Sequence, residues 1–178
     1  MMAFVDPRLV ELALFATIIL LLLAAAISDV VRFVIPNSIS VSVAALFFVA
    51  WFVLPVHTSL LTHVGAGLVV LVVGMVLFRY GLFGGGDVKL WSAAALWFGF
   101  GTLYSQLEYV SLTGGALGLI LYLARKWVAR YCHVDRGGQG STMPPLLQNG
   151  AAVPYGVAIA VGTILTLNKT PFFAPLFV

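Results

Sequence analysis

Phe83-Gly84-Gly85-Gly86-Asp87-Val88-Lys89-Leu90 sets three glycines, a carboxylate and a base side by side in a chain that is otherwise almost all hydrocarbon. A carboxylate in such company needs a structural or a chemical reason to be there. The surroundings decide what kind of fold that reason must serve. Of 178 residues, 62% are hydrophobic and 8% charged, with a mean hydropathy of +1.10. Soluble domains run near 25% charged, so these charges cannot clothe a water-facing surface. The composition describes one all-α, polytopic membrane domain covering residues 1–178.

Outward from the glycines, apolar runs of spanning length fall at roughly 9–27, 38–54, 60–80, 88–103, 107–124 and 154–168. These predict a six-transmembrane-helix bundle. Pro36 interrupts the chain after the first run, with Asn37 or Ser38 suited to cap the second. Pro55 stops the second, and Pro154 suits the first turn of the sixth. The first run ends in Ala24-Ala25-Ala26, but it is long for a signal core and weakly basic at its flank, so it reads as a retained helix. Residues 125–151 form the one sizeable polar stretch, a loop with a helical start continuing from the fifth run. Gly114 and Gly118, four apart, suit close helix packing inside the bundle, and a homo-oligomer face is the other use of such a pair.

Six spans put both termini on one side. Arg32, Arg79, Lys89, Arg125, Lys126, Arg130 and Arg136 then share the other side, against Arg8 and Lys169. The positive-inside rule assigns the richer side to the cytoplasm, in a plasma (inner) membrane, and leaves both termini non-cytoplasmic. The bases sit singly at the ends of apolar runs and form no nucleic-acid surface. Cys132 is alone, and His57, His63 and His133 are scattered, so no metal site can be assembled around the acids.

Six acids remain to be placed. Asp6, Glu11, Glu108 and Asp135 fall where water or headgroups can solvate them. Asp29 closes the first span, where pairing with Arg32 would account for it. Asp87 falls at the expected N-cap of the fourth helix, where backbone N–H groups would account for it. Together they are harder to explain away, because they come from different helices and arrive on the same side. Two neighbouring carboxylates tend to share one proton, the arrangement by which aspartic proteases activate water. Glycines ahead of Asp87 would let a substrate strand come close. Lys89 either tunes a neighbouring carboxylate or, as preferred, anchors its helix at the headgroups.

Gly84-Gly85-Gly86-Asp87 followed by Val88-Lys89-Leu90 resembles the GxGD motif of the membrane-embedded aspartic peptidases that process type IV prepilins. Ser28-Asp29 with Ile35-Pro36-Asn37 is similar to the segment carrying that family's first catalytic aspartate. Val153-Pro154-Tyr155-Gly156-Val157-Ala158-Ile159 resembles the segment opening its last helix. The resemblance implies Asp29 and Asp87 as the catalytic pair. It leaves Gly84, Gly85, Gly86, Lys89, Pro36, Asn37, Pro154, Tyr155 and Gly156 in substrate-binding or supporting roles. It further implies removal of a basic leader from a prepilin or pseudopilin precursor at the cytoplasmic face, with no metal or organic cofactor. The long bifunctional members carry a cytoplasmic insertion with paired cysteines, and this chain lacks it. The size therefore resembles the short peptidases of tight-adherence (Flp-type) pili, with archaeal preflagellin peptidases next, and a methyltransferase role is not expected. The competing readings are a small ion- or proton-coupled transporter using the same two acids, and a non-catalytic membrane scaffold for pilus assembly.

Overall fold

The computed structural model describes residues 6–55, 58–131, 145–147 and 151–177. Their regular structure is helical throughout, in six α-helices: α1 (Pro7–Arg32), α2 (Asn37–Val53), α3 (Leu60–Arg79), α4 (Gly85–Ala95), α5 (Gly99–Tyr131) and α6 (Tyr155–Thr166). Short 3₁₀ turns follow at Pro145–Leu147, Leu167–Lys169 and Ala174–Phe177. His57, Cys132, His133, Asp135 and Arg136 lie outside the described residues.

Helices α1, α3 and α5 are long and apolar enough to cross a membrane, and α2 is a shorter apolar helix of 17 residues. Their outer faces carry large exposed side chains such as Leu20, Ile27, Leu61, Leu68, Val72, Leu112 and Leu119. Apolar surface this extensive calls for an apolar surrounding.

The run expected at 88–103 does not form one span. α4 stops at Ala95, the chain turns through Leu96, Trp97 and Phe98, and α5 starts at Gly99 with φ +57°. Its cause lies on a distant helix. Buried His63 of α3 donates from Nδ1 to the Leu96 carbonyl at 2.7 Å, meeting one of the acceptors freed where α4 ends. A side chain on Gly99 would press on the same imidazole at about 3.1 Å. With eleven residues, α4 rises only about 16 Å. The expected break at 104–106 falls inside α5, which runs on to Tyr131 and takes in the start of the expected polar loop.

α4 is the hub. It packs on α2, α3 and α6, while α1 bridges α2 to α6 and α5 bridges α3 to α6. Two glycines of α3 permit the tight approach of α4, since a Cβ on Gly67 or Gly74 would lie 2.6 Å from Leu96 or Val88 respectively. Ser92 seals that seam by donating to the Gly67 carbonyl at 2.9 Å. Gly162 of α6 meets the backbone of Val110 on α5 in the same way. Gly114 also packs inside the bundle, against Ala158 and Tyr155 of α6, whereas Gly118 faces open space.

Beyond α6 the chain folds back. Phe172 and Phe173 are wholly buried, Phe172 against Phe47, His63 and Trp97, and Phe173 against Phe15 and Trp97. They close the bundle opposite the glycine turn. The end carrying that turn also carries the C-terminal ends of α1, α3 and α5 and the N-terminal ends of α2, α4 and α6. Arg32, Arg79, Lys89, Arg125, Lys126 and Arg130 gather there, with Arg8 and Lys169 at the other end.

Candidate active site

Asp87 is the third residue of α4, and the N-cap is Gly84. The expected N-cap role is thereby corrected. A carboxylate at the third position reaches back, and Asp87 Oδ2 accepts the Gly84 N–H at 3.0 Å. Gly84 N–H would otherwise be a loose donor at the helix start. None of the three glycines before Asp87 has a positive φ, so their service is space. A Cβ on Gly84 would sit 2.9 Å from Asp87 Oδ2, and one on Gly86 would sit 3.2 Å from Ile35 Cβ.

Asp29 occupies the last turn of α1 and is 5% exposed; Asp87 is 8% exposed. The expected partner of Asp29, Arg32, is itself exposed. Asp29 Oδ2 instead accepts the N–H of Gly156, the second residue of α6, at 2.7 Å. A charge-assisted bond to a helix N-terminus suits a carboxylate removed from water. Gly156 leaves no room for a side chain without a shift: a Cβ would fall 2.8 Å from Asp29 Oδ2 and 2.7 Å from Ile35 Cδ1. The Gly156 N–H and the Asp29 carboxylate both act electrostatically on Asp87.

After Asp29 the chain must leave α1 and cross to α2. Phe33 makes the turn in a left-handed conformation, φ +52°, unusual for a bulky residue. The Phe33 N–H donates to the Asp29 carbonyl at 2.9 Å. Ser28 donates to the Val34 carbonyl at 2.8 Å. Ile35 turns inward, 5% exposed, between Gly86 and Gly156. Pro36 is the N-cap of α2, and no side chain caps that helix, contrary to the expectation for Asn37 or Ser38. Asn37 Oδ1 accepts instead from Lys89 Nζ at 3.0 Å, joining α2 to α4.

These segments enclose an open cleft of about 570 Å³ lined by Asp29, the Phe33–Asn37 link, Gly84, Gly85, Gly86, Asp87 and Lys89. Pro154, Tyr155 and Gly156 do not line it. Pro154 is the N-cap of α6, Gly156 acts through its N–H, and Tyr155 packs on Phe83 with ring centroids 4.9 Å apart. Trp91 also stacks on Phe83, at 5.6 Å. Phe33, Ile35, Phe83 and Trp91 were beyond sequence reasoning. Their apolar types are common throughout the chain, and their placement depends on contacts between distant segments.

Two buried carboxylates, each held by a main-chain N–H and facing one polar cleft, can pass a proton to and from a bound water. No curated protein and no solved structure gives a significant match to the chain. A model of the type IV leader peptidase family matches residues 16–119, a stretch that includes Asp29, Asp87 and the whole lining of the cleft and stops before α6. That match covers more than half of the sequence, and the chain belongs to the type IV leader peptidase family.

Proposed function

We propose that this protein is an intramembrane aspartic endopeptidase that removes the basic leader from type IV prepilin precursors, of the Flp-like class, at the cytoplasmic membrane face. Asp29 and Asp87 are its catalytic pair. The observation that carries the reading is the Gly156 N–H, which ties α6 to Asp29 in the cleft that Asp87 also lines. Family membership supports leader cleavage as the reaction, and the short link from α1 to α2, with no cysteine-bearing insertion in it, supports the Flp-like type.

The chemistry follows from two acids holding one proton between them. The ionised aspartate takes a proton from water as the oxygen attacks the scissile carbonyl carbon. The protonated one donates to the carbonyl oxygen, so the tetrahedral intermediate forms without an isolated charge. Collapse returns the carbonyl, breaks the C–N bond and delivers a proton to the leaving amine. The leader departs with a carboxylate, the pilin keeps its amine, and the pair is ready again.

Gly84, Gly85 and Gly86 form a wall without side chains, along which an extended substrate backbone can lie. Pro36, Asn37 and Lys89 frame the cleft, and Pro154, Tyr155 and Gly156 support it from α6. The positive residues gathered at the cleft end support a cytoplasmic placement of that end in a multi-pass inner-membrane topology.

Purified protein incubated with a Flp-type precursor should yield two products whose masses locate one scissile bond. Asp29→Asn and Asp87→Asn should each remove the activity while the protein still inserts and folds. Normal processing by either variant would sink the reading.

A further inference from the structure

Phe83 immediately precedes the N-cap of α4, and its ring contacts two others. Trp91 stacks on it with centroids 5.6 Å apart and planes 25° apart, and Tyr155 lies 4.9 Å away at 33°. Trp91 follows Asp87 by one helical turn, on the same face of α4. Tyr155 opens α6 and directly precedes Gly156, whose N–H holds Asp29. Contact therefore runs unbroken from the helix of Asp87, through Phe83, to the amide that holds Asp29.

Besides Ile35, which lies against both Gly86 and Gly156, this aromatic contact is what joins the glycine turn to the start of α6. The link from α3 into the glycine turn exposes Tyr80 and Leu82, and Gly81 has φ +72° with open space around it. The α6 helix has twelve residues, and no side chain caps its first turn. Gly114 of α5 leaves room beside Tyr155, since a Cβ there would lie 3.8 Å from its ring. Phe83 is thus the side chain through which the glycine turn and the start of α6 meet ring to ring.

We infer that Phe83 is a positioning residue. Its ring, in contact with both Trp91 and Tyr155, sets the first turn of α6 against the Gly84–Asp87 turn, and so sets where the Gly156 N–H stands relative to the two carboxylates. The inference rests on the peptidase reading of Asp29 and Asp87. Aromatic pairs have preferred offsets and angles, so an aliphatic side chain of similar bulk fills the space without holding the geometry. Reacting groups displaced by about 1 Å can lose about 100-fold in rate.

The test is steady-state cleavage of a prepilin precursor by full-length Phe83→Leu, Phe83→Tyr, Tyr155→Leu and the double variant Phe83→Leu/Tyr155→Leu. Phe83→Leu should lower kcat by about 10- to 100-fold with KM within about twofold of wild type. Phe83→Tyr, which keeps the ring, should restore kcat to within about threefold of wild type. The double variant should be no slower than the slower single one, because both changes break one link. A wild-type kcat in Phe83→Leu would overturn the inference. So would a raised KM at unchanged kcat, which would make Phe83 a substrate contact, or multiplicative losses in the double variant. If the wild-type protein cleaves no precursor, the peptidase reading fails by itself. The ring link is then judged by thermal unfolding of the same proteins, where non-additive losses keep it and additive losses overturn it.

Discussion

The two ends of α4 solve opposite problems with a similar amount of buried polarity. At the N-terminal end, Asp29 and Asp87 are held by the amides of Gly156 and Gly84 beside an open cleft of about 570 Å³. At the C-terminal end, His63 is 2% exposed and bonded to the Leu96 carbonyl, and it packs on Phe47 and Phe172, which in turn pack on Trp97. One end keeps room for another molecule, and the other packs its histidine among aromatic rings. A buried titratable group becomes a candidate for chemistry when a cleft adjoins it, as one adjoins Asp29 and Asp87. Substitutions at the two ends should therefore separate rate from stability.

The largest effect belongs to the carboxylates. Asp29→Asn or Asp87→Asn keeps an oxygen for the Gly156 or Gly84 N–H but cannot take or give the catalytic proton. Loss of a general acid–base group costs about 10²- to 10⁴-fold, or about 3–5 kcal/mol of barrier. A cleavage assay alongside thermal unfolding should show that loss with the melting midpoint nearly unchanged. A midpoint that collapsed instead would make the glycine end structural, like its opposite.

Phe172→Ala should reverse the pattern. Its ring is 1% exposed and touches three other rings, and truncating a buried Phe costs about 3–5 kcal/mol. Unfolding in detergent should report that destabilisation. Protein that remains folded should cleave with a kcat close to wild type, since the cleft lies at the far end of α4.

Gly156→Ala should fall between these cases. A methyl group 2.8 Å from Asp29 Oδ2 and 2.7 Å from Ile35 Cδ1 must push α6 away from α1 by part of an ångström. The bond from its N–H to Asp29 lengthens, and kcat should drop about 10- to 100-fold on the scale of small misplacements. Stability should fall by about 1–3 kcal/mol, as for other overpacked sites. An unchanged kcat would show that the amide bond serves folding alone.

That Asp29 and Asp87 reach one end of the bundle was legible, because counting apolar runs and cations requires no knowledge of packing. Their partners were less so. Asp29 next to Arg32 reads as a local ion pair, yet the bond it makes is to an amide 127 residues away. The break between α4 and α5 was hidden for a similar reason. Leu96–Thr102 is as apolar as the flanking helices, and the chain turns there because His63 waits for the Leu96 carbonyl. Phe172 and Phe173 follow the last apolar run, and they fill a slot formed by Phe15 of α1, Phe47 of α2 and Trp97 of the turn after α4. Period and charge carry the architecture of such a protein; contacts across long separations carry its details.

The smallest expected effect concerns the bond between Lys89 and Asn37. Lys89 is two residues beyond Asp87, on a different face of α4, and its Nζ reaches across to Asn37 Oδ1 rather than to either carboxylate. Both side chains are exposed, so water competes for the bond and its net worth is below about 1 kcal/mol. Lys89→Ala and Asn37→Ala should each change kcat less than about threefold, and a double-mutant cycle should return a coupling of the same small size. Any effect should appear in KM, because the pair frames the cleft without touching the proton-bearing atoms. A tenfold loss of kcat in either variant would move α2 from the frame of the site into its machinery. The contrast between the two ends of α4 would then rest on three helices holding the carboxylates in place, rather than on the two amides alone.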